Sequence, residues 1–294
     1  MKLTRKRLLL LLGGAVLLLA LLTCWDLYRS KYGLCVSRYA LASDQLTAPV
    51  RIVQLSDLHN SEFGGGNARL LAAVEAEEPD LILVTGDLVN LNDSANAVAL
   101  ALLEDLTAIA PVYVSLGNHE TAYQENFGID IAALYAETGA TVLEYGYEDI
   151  TVSGQALRIG GIYGYCLPEI YLSTGEARVA ECEFLKEFQD TDRYTVLLCH
   201  MPVCWITNGS LDYWDADCVF AGHAHGGQIR LFGCIGLYAP DQGFFPGRLW
   251  GLYHSTDGEK TMVLSRGLGT MDVAPRLGNV PEIVTVDLMP EVND

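Results

Sequence analysis

The sequence predicts an α/β protein, one domain of two packed sheets with largely parallel, buried strands. Three observations lead there. Short apolar runs alternate with helical segments in the first half, and the second half is richer in strands, with no plain linker between them. Asp57, Asp87, Asn118, His200 and His223 each stand just beyond an apolar run. Strands alternating with helices favour a parallel sheet covered by helices. Side chains just past the carboxyl ends of such strands converge on one crevice.

Taken in order, residues 26–49 read as a linker and an opening strand. Residues 51–55 form a short strand ending at Ser56-Asp57. Residues 68–76 have helical character, and residues 80–85 are an apolar strand ending at Gly86-Asp87. A helix over 95–109 is stopped by Pro111, and a strand over 112–116 ends at Gly117-Asn118. Residues 141–144, 148–152 and 156–162 look like a meander, followed by a helix over 176–189. Buried strands follow over 194–199 and 216–220, then short ones around 228–231, 251–254, 260–265 and 282–288.

The N-terminus stands apart. Lys2, Arg5, Lys6 and Arg7 precede an apolar run over residues 8–22. A membrane-spanning helix takes about 17–25 apolar residues and a signal-peptide core about 7–15, so the run lies at the border. A retained anchor is favoured over a cleaved signal. No small-x-small cleavage site follows, Trp25 and Tyr28 make an interfacial aromatic pair, and Arg29 and Lys31 lie just beyond. The leading positive charges predict a cytoplasmic N-terminus with the remaining chain outside. The expected organisation is a basic stub and anchor over 1–25, a linker over 26–45 and the main domain over 46–294.

Beyond residue 31 the chain carries twelve Lys or Arg against 36 acids. Such a domain repels nucleic acid backbones and anionic membrane surfaces, so no nucleic-acid partner is expected. Eight cysteines include no C-x-x-C pair. Cys199 and Cys218 fall in apolar runs, where a free thiol acts as a small hydrophobe.

The motifs that carry chemistry are Asp57-Leu58-His59, Gly86-Asp87, Gly117-Asn118-His119-Glu120, His200 and Gly222-His223-Ala224-His225. Singly, each has a structural explanation as a turn or cap. Together they hold five of the six histidines, leaving out only His254. Two carboxylates, an amide oxygen and imidazoles suit Mn, Fe or Zn rather than Ca. A central carboxylate can bridge two ions, and two ions about 3.5–4 Å apart can hold both oxygens of an in-line displacement at phosphorus.

This ordered series resembles the calcineurin-like metallophosphoesterase superfamily. His223 to Arg230, Tyr238-Ala239-Pro240, Ser265-Arg266-Gly267-Leu268-Gly269 and Pro281-Glu282-Ile283 are further similar to its bacterial YkuE/YaeI-like branch of exported or membrane-anchored phosphodiesterases. The similarity covers about residues 45–288; the departure is Arg5-Lys6-Arg7 where some relatives carry a twin-arginine signal. The resemblance implies a four-layer α/β/β/α sandwich and two divalent ions, Mn favoured. It implies Asp57, His59 and His225 on one metal, Asn118, His200 and His223 on the other, and Asp87 bridging. His119 would not bind metal; it would stand beside the phosphate as the catalytic residue, and Glu120 would orient the loop.

The function so implied is phosphodiester hydrolysis by a metal-activated hydroxide at the outer membrane surface, by a single-pass cell-membrane protein, expected as a monomer. The nearby anchor raises the odds of a lipid-linked or envelope-derived substrate. The rivals are a pyrophosphate hydrolase acting on a nucleotide-activated lipid or sugar, and a scaffold that kept the fold without the chemistry. Arg230, Arg266 and His254 read as structural, Asn60 equally as a turn residue or a phosphate contact, and Gly64-Gly65-Gly66 as a flexible loop at the edge of the site. The aromatic residues Trp205, Tyr213, Trp214, Phe244, Phe245 and Trp250 read first as core, with a lipid-dipping or substrate-holding rim as the lesser reading.

Overall fold

The computed structural model describes residues 4–231, 233–270 and 274–291; Lys2, in the basic stub, and residues 292–294, at the end of the expected main domain, lie outside the described residues. The chain opens with α1 (Arg5–Tyr32), 28 residues long. Its apolar stretch has a mean hydropathy of 2.5 and buries nothing against the rest of the chain. At ~1.5 Å per residue the helix is about 42 Å long, enough to cross a hydrocarbon core of about 30 Å.

Among the described residues sixteen strands follow, the first eight being β1 (Cys35–Ser43), β2 (Val50–Leu55), β3 (Leu81–Thr85), β4 (Val112–Ser115), β5 (Thr141–Val142), β6 (Gly146–Val152), β7 (Gln155–Ile162) and β8 (Tyr194–Cys199). The others are β9 (Cys218–Ala221), β10 (Arg230–Leu231), β11 (Ile235–Gly236), β12 (Tyr238–Ala239), β13 (Gly243–Phe244), β14 (Gly251–His254), β15 (Thr261–Leu264) and β16 (Glu282–Pro290). They form two six-stranded sheets, ordered β1-β16-β2-β3-β4-β5 and β14-β15-β9-β8-β7-β6, plus the hairpins β10-β11 and β12-β13. Neighbours in the first sheet are parallel except β16 with β2; in the second, the edge pairs β14-β15 and β6-β7 are antiparallel.

Period-two alternation separates the faces. Ile52, Leu81, Leu83, Val284 and Val286 of the first sheet meet Leu157, Ile159, Val196, Leu198 and Phe220 of the second in one apolar layer. Val53, Leu55, Val84 and Val114 point the other way, under α2 (Ala68–Glu75), α3 (Ala97–Thr107), α4 (Asn118–Phe127) and α5 (Ile131–Glu137). Leu197, Cys199 and Val219 pack beneath α6 (Val179–Phe188) and two short helices, α7 (Val203–Thr207) and α8 (Ser210–Tyr213). The result is a helix–sheet–sheet–helix sandwich, as expected.

Two expectations change. The three-strand meander does not exist, because β5 pairs with β4 in the first sheet while β6 and β7 form a hairpin in the second. The chain changes sheets at Leu143, whose N–H still donates to Val114 O at 2.8 Å. Nor do residues 26–45 make a linker. The helix runs on to Tyr32, and Cys35–Ser43 pairs in full register with Glu282–Pro290. Only Gly33 and Leu34 separate helix from sheet. The aromatic group also divides, with Trp205 and Trp214 buried in the second helical layer and Tyr213, Phe244 and Phe245 exposed.

Candidate metal centre

The carboxyl ends of β2, β3, β4, β8 and β9 deliver the site. Asp57, His59, Asp87, His223 and His225 all have left-handed backbone, with φ of 53°, 47°, 55°, 67° and 47°. This conformation costs a non-glycine residue on the order of 1–3 kcal/mol, and it persists only where the surroundings hold it. Here it turns side chains back over the strand ends.

The groups meet around two foci. Asp57, His59, Asp87 and His225 bring ligand atoms within 4.8 Å of one another, and so do Asp87, His200 and His223. Asp87 belongs to both. Its Oδ2 lies 3.2 Å from His200 Nε2, 3.8 Å from His59 Nε2 and 3.9 Å from His119 Nε2. His225 Nε2 is 3.4 Å from Asp57 Oδ1 and 3.2 Å from His59 Nε2. Asn118 presents Oδ1 3.1 Å from His200 Nε2. Every residue predicted for the site therefore arrives there.

Burial depresses the His59 and His225 imidazoles, leaving them neutral with lone pairs free. Burial also acts on His200, but the Asp87 carboxylate outweighs it and pushes this imidazole up to about 10. In turn, burial penalises the Asp87 charge while His200 and His59 hold its carboxyl well below the usual range. Neutral imidazoles and ionised carboxylates are the states a divalent cation requires. The Nδ1 atoms of His59 and His225 are buried without hydrogen-bond partners, and their Nε2 atoms face each other. Two opposed imidazole nitrogens beside carboxylates make a poor contact alone and a good one around a cation. The donor set fits two metal ions.

Close packing leaves no slack behind these ligands. A Cβ on Gly222 would overlap the Ser56 hydroxyl and the Asp57 carboxylate, and one on Gly117 would overlap Asp87 Oδ1. Glu120, fully buried, joins two loops through its carboxylate. Oε2 accepts from Asp87 N at 2.7 Å and Gly117 N at 2.8 Å, and Oε1 accepts from Leu88 N at 2.7 Å and the Tyr135 hydroxyl at 3.0 Å. Burial and the Asp87 charge push this carboxyl upward, against the backbone donors. Arg266 pairs with Glu282 at 2.7 Å, Arg230 stacks over Trp250 at 3.6 Å, and His254 bonds Thr261 Oγ1 at 3.0 Å, so all three are structural. Asn60 has left-handed backbone, and its Nδ2 donates to Ala95 O at 3.0 Å.

Sequence reasoning missed three supporting residues. Asp241, in the turn joining β12 and β13, accepts from His223 Nε2 at 3.1 Å, which leaves Nδ1 as that ring's lone-pair atom. Its signal was an acid directly after the Tyr238-Ala239-Pro240 segment. Asn279 Nδ2 donates to His225 O at 2.7 Å, and Arg276 Nη1 donates to Gly267 O and Gly269 O at 3.0 Å each. Both lie more than 40 residues beyond the histidine they support, where no local pattern marks them.

Comparison with known proteins agrees with this geometry. The family model for calcineurin-like phosphoesterases matches residues 50–227. An uncharacterized metallophosphoesterase of Campylobacter jejuni is 28% identical over 250 residues, covering 83% of this chain and 60% of that protein. Phosphodiesterase YaeI of Escherichia coli is 27% identical over 247 residues, 82% of this chain and 83% of that one. The metallophosphoesterase YkuE of Bacillus subtilis is 26% identical over 246 residues, 81% and 78% respectively. Among solved structures, a 5′-nucleotidase precursor from Thermus thermophilus superposes with a TM-score of 0.51 at 15% identity, covering 82% of this chain and 54% of that one, a likeness of fold. The chain thus spans less than two thirds of the Campylobacter and Thermus proteins.

Proposed function

Because the chain belongs to the calcineurin-like phosphoesterase family, we propose that it hydrolyses phosphodiesters at the outer face of the membrane in which α1 is anchored. It carries the binuclear metal-binding site typical of phosphoesterase chemistry. The observation that carries the reading is Asp87, shared by two clusters at the ends of adjacent strands. We assign Asp57, His59 and His225 to one ion, Asn118, His200 and His223 to the other, and Asp87 to both, with Mn favoured. When bound, the ions supply positive charge that polarises the phosphoryl oxygens and acidifies water.

The protein's own groups do the rest. Leu91 N–H donates to His119 Nδ1 at 3.2 Å, so the neutral ring carries its hydrogen on Nε2. That atom faces Asp87 from the rim of the site. His119 is placed to donate that Nε2–H as a hydrogen bond to a phosphoryl or leaving oxygen, stabilising the negative charge that develops there. Glu120 keeps the Asp87 and Asn118 loops in register, and Asp241 holds the His223 ring in one orientation.

A diester preference is supported by the name of the Escherichia coli relative, and placement in the YkuE/YaeI-like branch by likeness to both those proteins. Membrane location is supported by the length and apolarity of α1. The test is full-length protein loaded in turn with Mn²⁺, Fe²⁺ or Zn²⁺ and given bis(p-nitrophenyl) phosphate, p-nitrophenyl phosphate and a UDP-linked lipid. The diester should be cleaved fastest. Faster cleavage of the UDP-linked lipid would replace this reading with the pyrophosphatase one, and no cleavage under any metal would leave the scaffold.

A further inference from the structure

The hairpins β10–β11 and β12–β13 form a small layer beside the metal centre; Ala239 is buried in the second helical core, while several outward-facing side chains are open. Leu231, Ile235, Tyr238, Phe244 and Phe245 are 42%, 48%, 37%, 72% and 66% exposed. Tyr238 and Phe244 meet edge to face, with centroids 5.5 Å apart, which makes part of the apolar surface continuous. The segment over residues 228–250 carries Arg230 and Arg248 against one acid, Asp241, in a strongly acidic domain. An apolar, acid-poor patch of this kind calls for a partner.

Hydrogen bonds tie the layer to the end of α1. Arg230 N donates to Leu277 O at 2.8 Å, and Ile229 bridges Leu277, so one strand spacing, about 5 Å, separates β10 from that segment. The same segment is fastened to the helix. Gly278 N donates to the Asp26 carboxylate at 2.5 Å and Asn279 N to Ser30 Oγ at 3.2 Å. Asp26 follows the apolar run by four residues and sits between exposed Trp25 and Tyr28, where a spanning helix meets the headgroups.

From this continuity we infer that the β10–β13 layer is a second membrane contact, its apolar side chains inserted at the headgroup–acyl boundary of the bilayer that α1 spans. The inference rests on the anchor reading of α1. A lipid surface is the occupant because the patch is pinned to the point where the helix leaves the membrane. With the layer seated, the acidic remainder of the domain faces away from anionic headgroups. Asp241 lies in the same layer and holds His223, so seating brings the metal centre to headgroup level, where a lipid phosphodiester would meet it.

The test uses the full chain in liposomes whose lipids carry bromine on the acyl chains, with tryptophan added by Phe244→Trp or, independently, Phe245→Trp. The control is Asp192→Trp, exposed before β8 at the end opposite the metal centre. Against the wild-type background, the emission added at 244 or 245 should be largely lost in brominated lipid, and that added at 192 should not. Equal emission in brominated and ordinary lipid at both 244 and 245 overturns the inference, as does failure of the chain to float with the liposomes. The readout needs no hydrolysis. Cleavage of bis(p-nitrophenyl) phosphate by the same samples reports on the enzymatic reading separately.

Discussion

Replacing Glu120 with Gln tests whether a buried carboxylate clamps the metal loops. Its partners are backbone N–H groups of Asp87, Leu88, Val89 and Gly117 and the Tyr135 hydroxyl. An amide can accept on one side only. The better orientation turns the new NH₂ toward Tyr135, whose hydroxyl can reverse and accept, but it leaves Leu88 N–H facing another donor. An orphaned buried donor costs about 1–3 kcal/mol. The bonds from Asp87 and Gly117 fall from charge-assisted to neutral, a further loss of roughly 1 kcal/mol each. Relief of charge burial and of repulsion from Asp87 offsets part of this. The net expectation is a loss of about 2–4 kcal/mol, which lowers Tm by roughly 5–15 °C in a domain of this size. Because both loops carry ligands, metal affinity should fall about 10–100-fold, the usual effect of removing a ligand's supporting partner. Thermal unfolding of the metal-free protein and chelator competition on the loaded protein read the two effects. An unchanged Tm together with unchanged affinity would refute the clamp.

Other perturbations follow from the same geometry. His119→Ala should lower turnover about 10²–10³-fold with metal content nearly unchanged by elemental analysis, and loss of metal would remove its assigned role. Asp241→Ala should weaken metal binding about 10–100-fold in a chelator titration, since the His223 ring loses the acceptor that fixes it. Gly222→Ala should cost about 1–3 kcal/mol and strip metal, because its methyl group displaces Ser56 or Asp57; full metal loading of that variant contradicts the packing. Metal uptake should release a proton from His200, the imidazole that Asp87 raises to about 10, so affinity should climb with pH across the neutral range. A pH-indicator titration during loading that shows no proton release speaks against it.

Local sequence determined the chemistry. A strand ending in Asp57, Asp87, Asn118 or His200 announces itself by an apolar run followed by a polar residue, and strand ends in a parallel sheet converge, so the meeting of these residues in one crevice was legible without coordinates. The role of Glu120 was legible for a related reason, since it sits three residues into the turn that it braces. Tertiary structure alone decided what depends on pairing between distant segments. β1 lies beside β16 across more than 240 residues, and nothing in Cys35–Ser43 distinguishes an edge strand from a tether until its partner is in place. The split of residues 141–162 between two sheets follows from a crossover at Leu143, which leaves each strand's own composition unchanged. Asp241, Arg276 and Asn279 support histidines through the fold, and the joining of α1 to the 277–279 segment rests on hydrogen bonds spanning about 250 residues. Short-range periodicity fixes which face of a strand is apolar and which residue ends it. Register, sheet assignment and the partners of a buried polar atom are settled only when separate parts of the chain exclude water together.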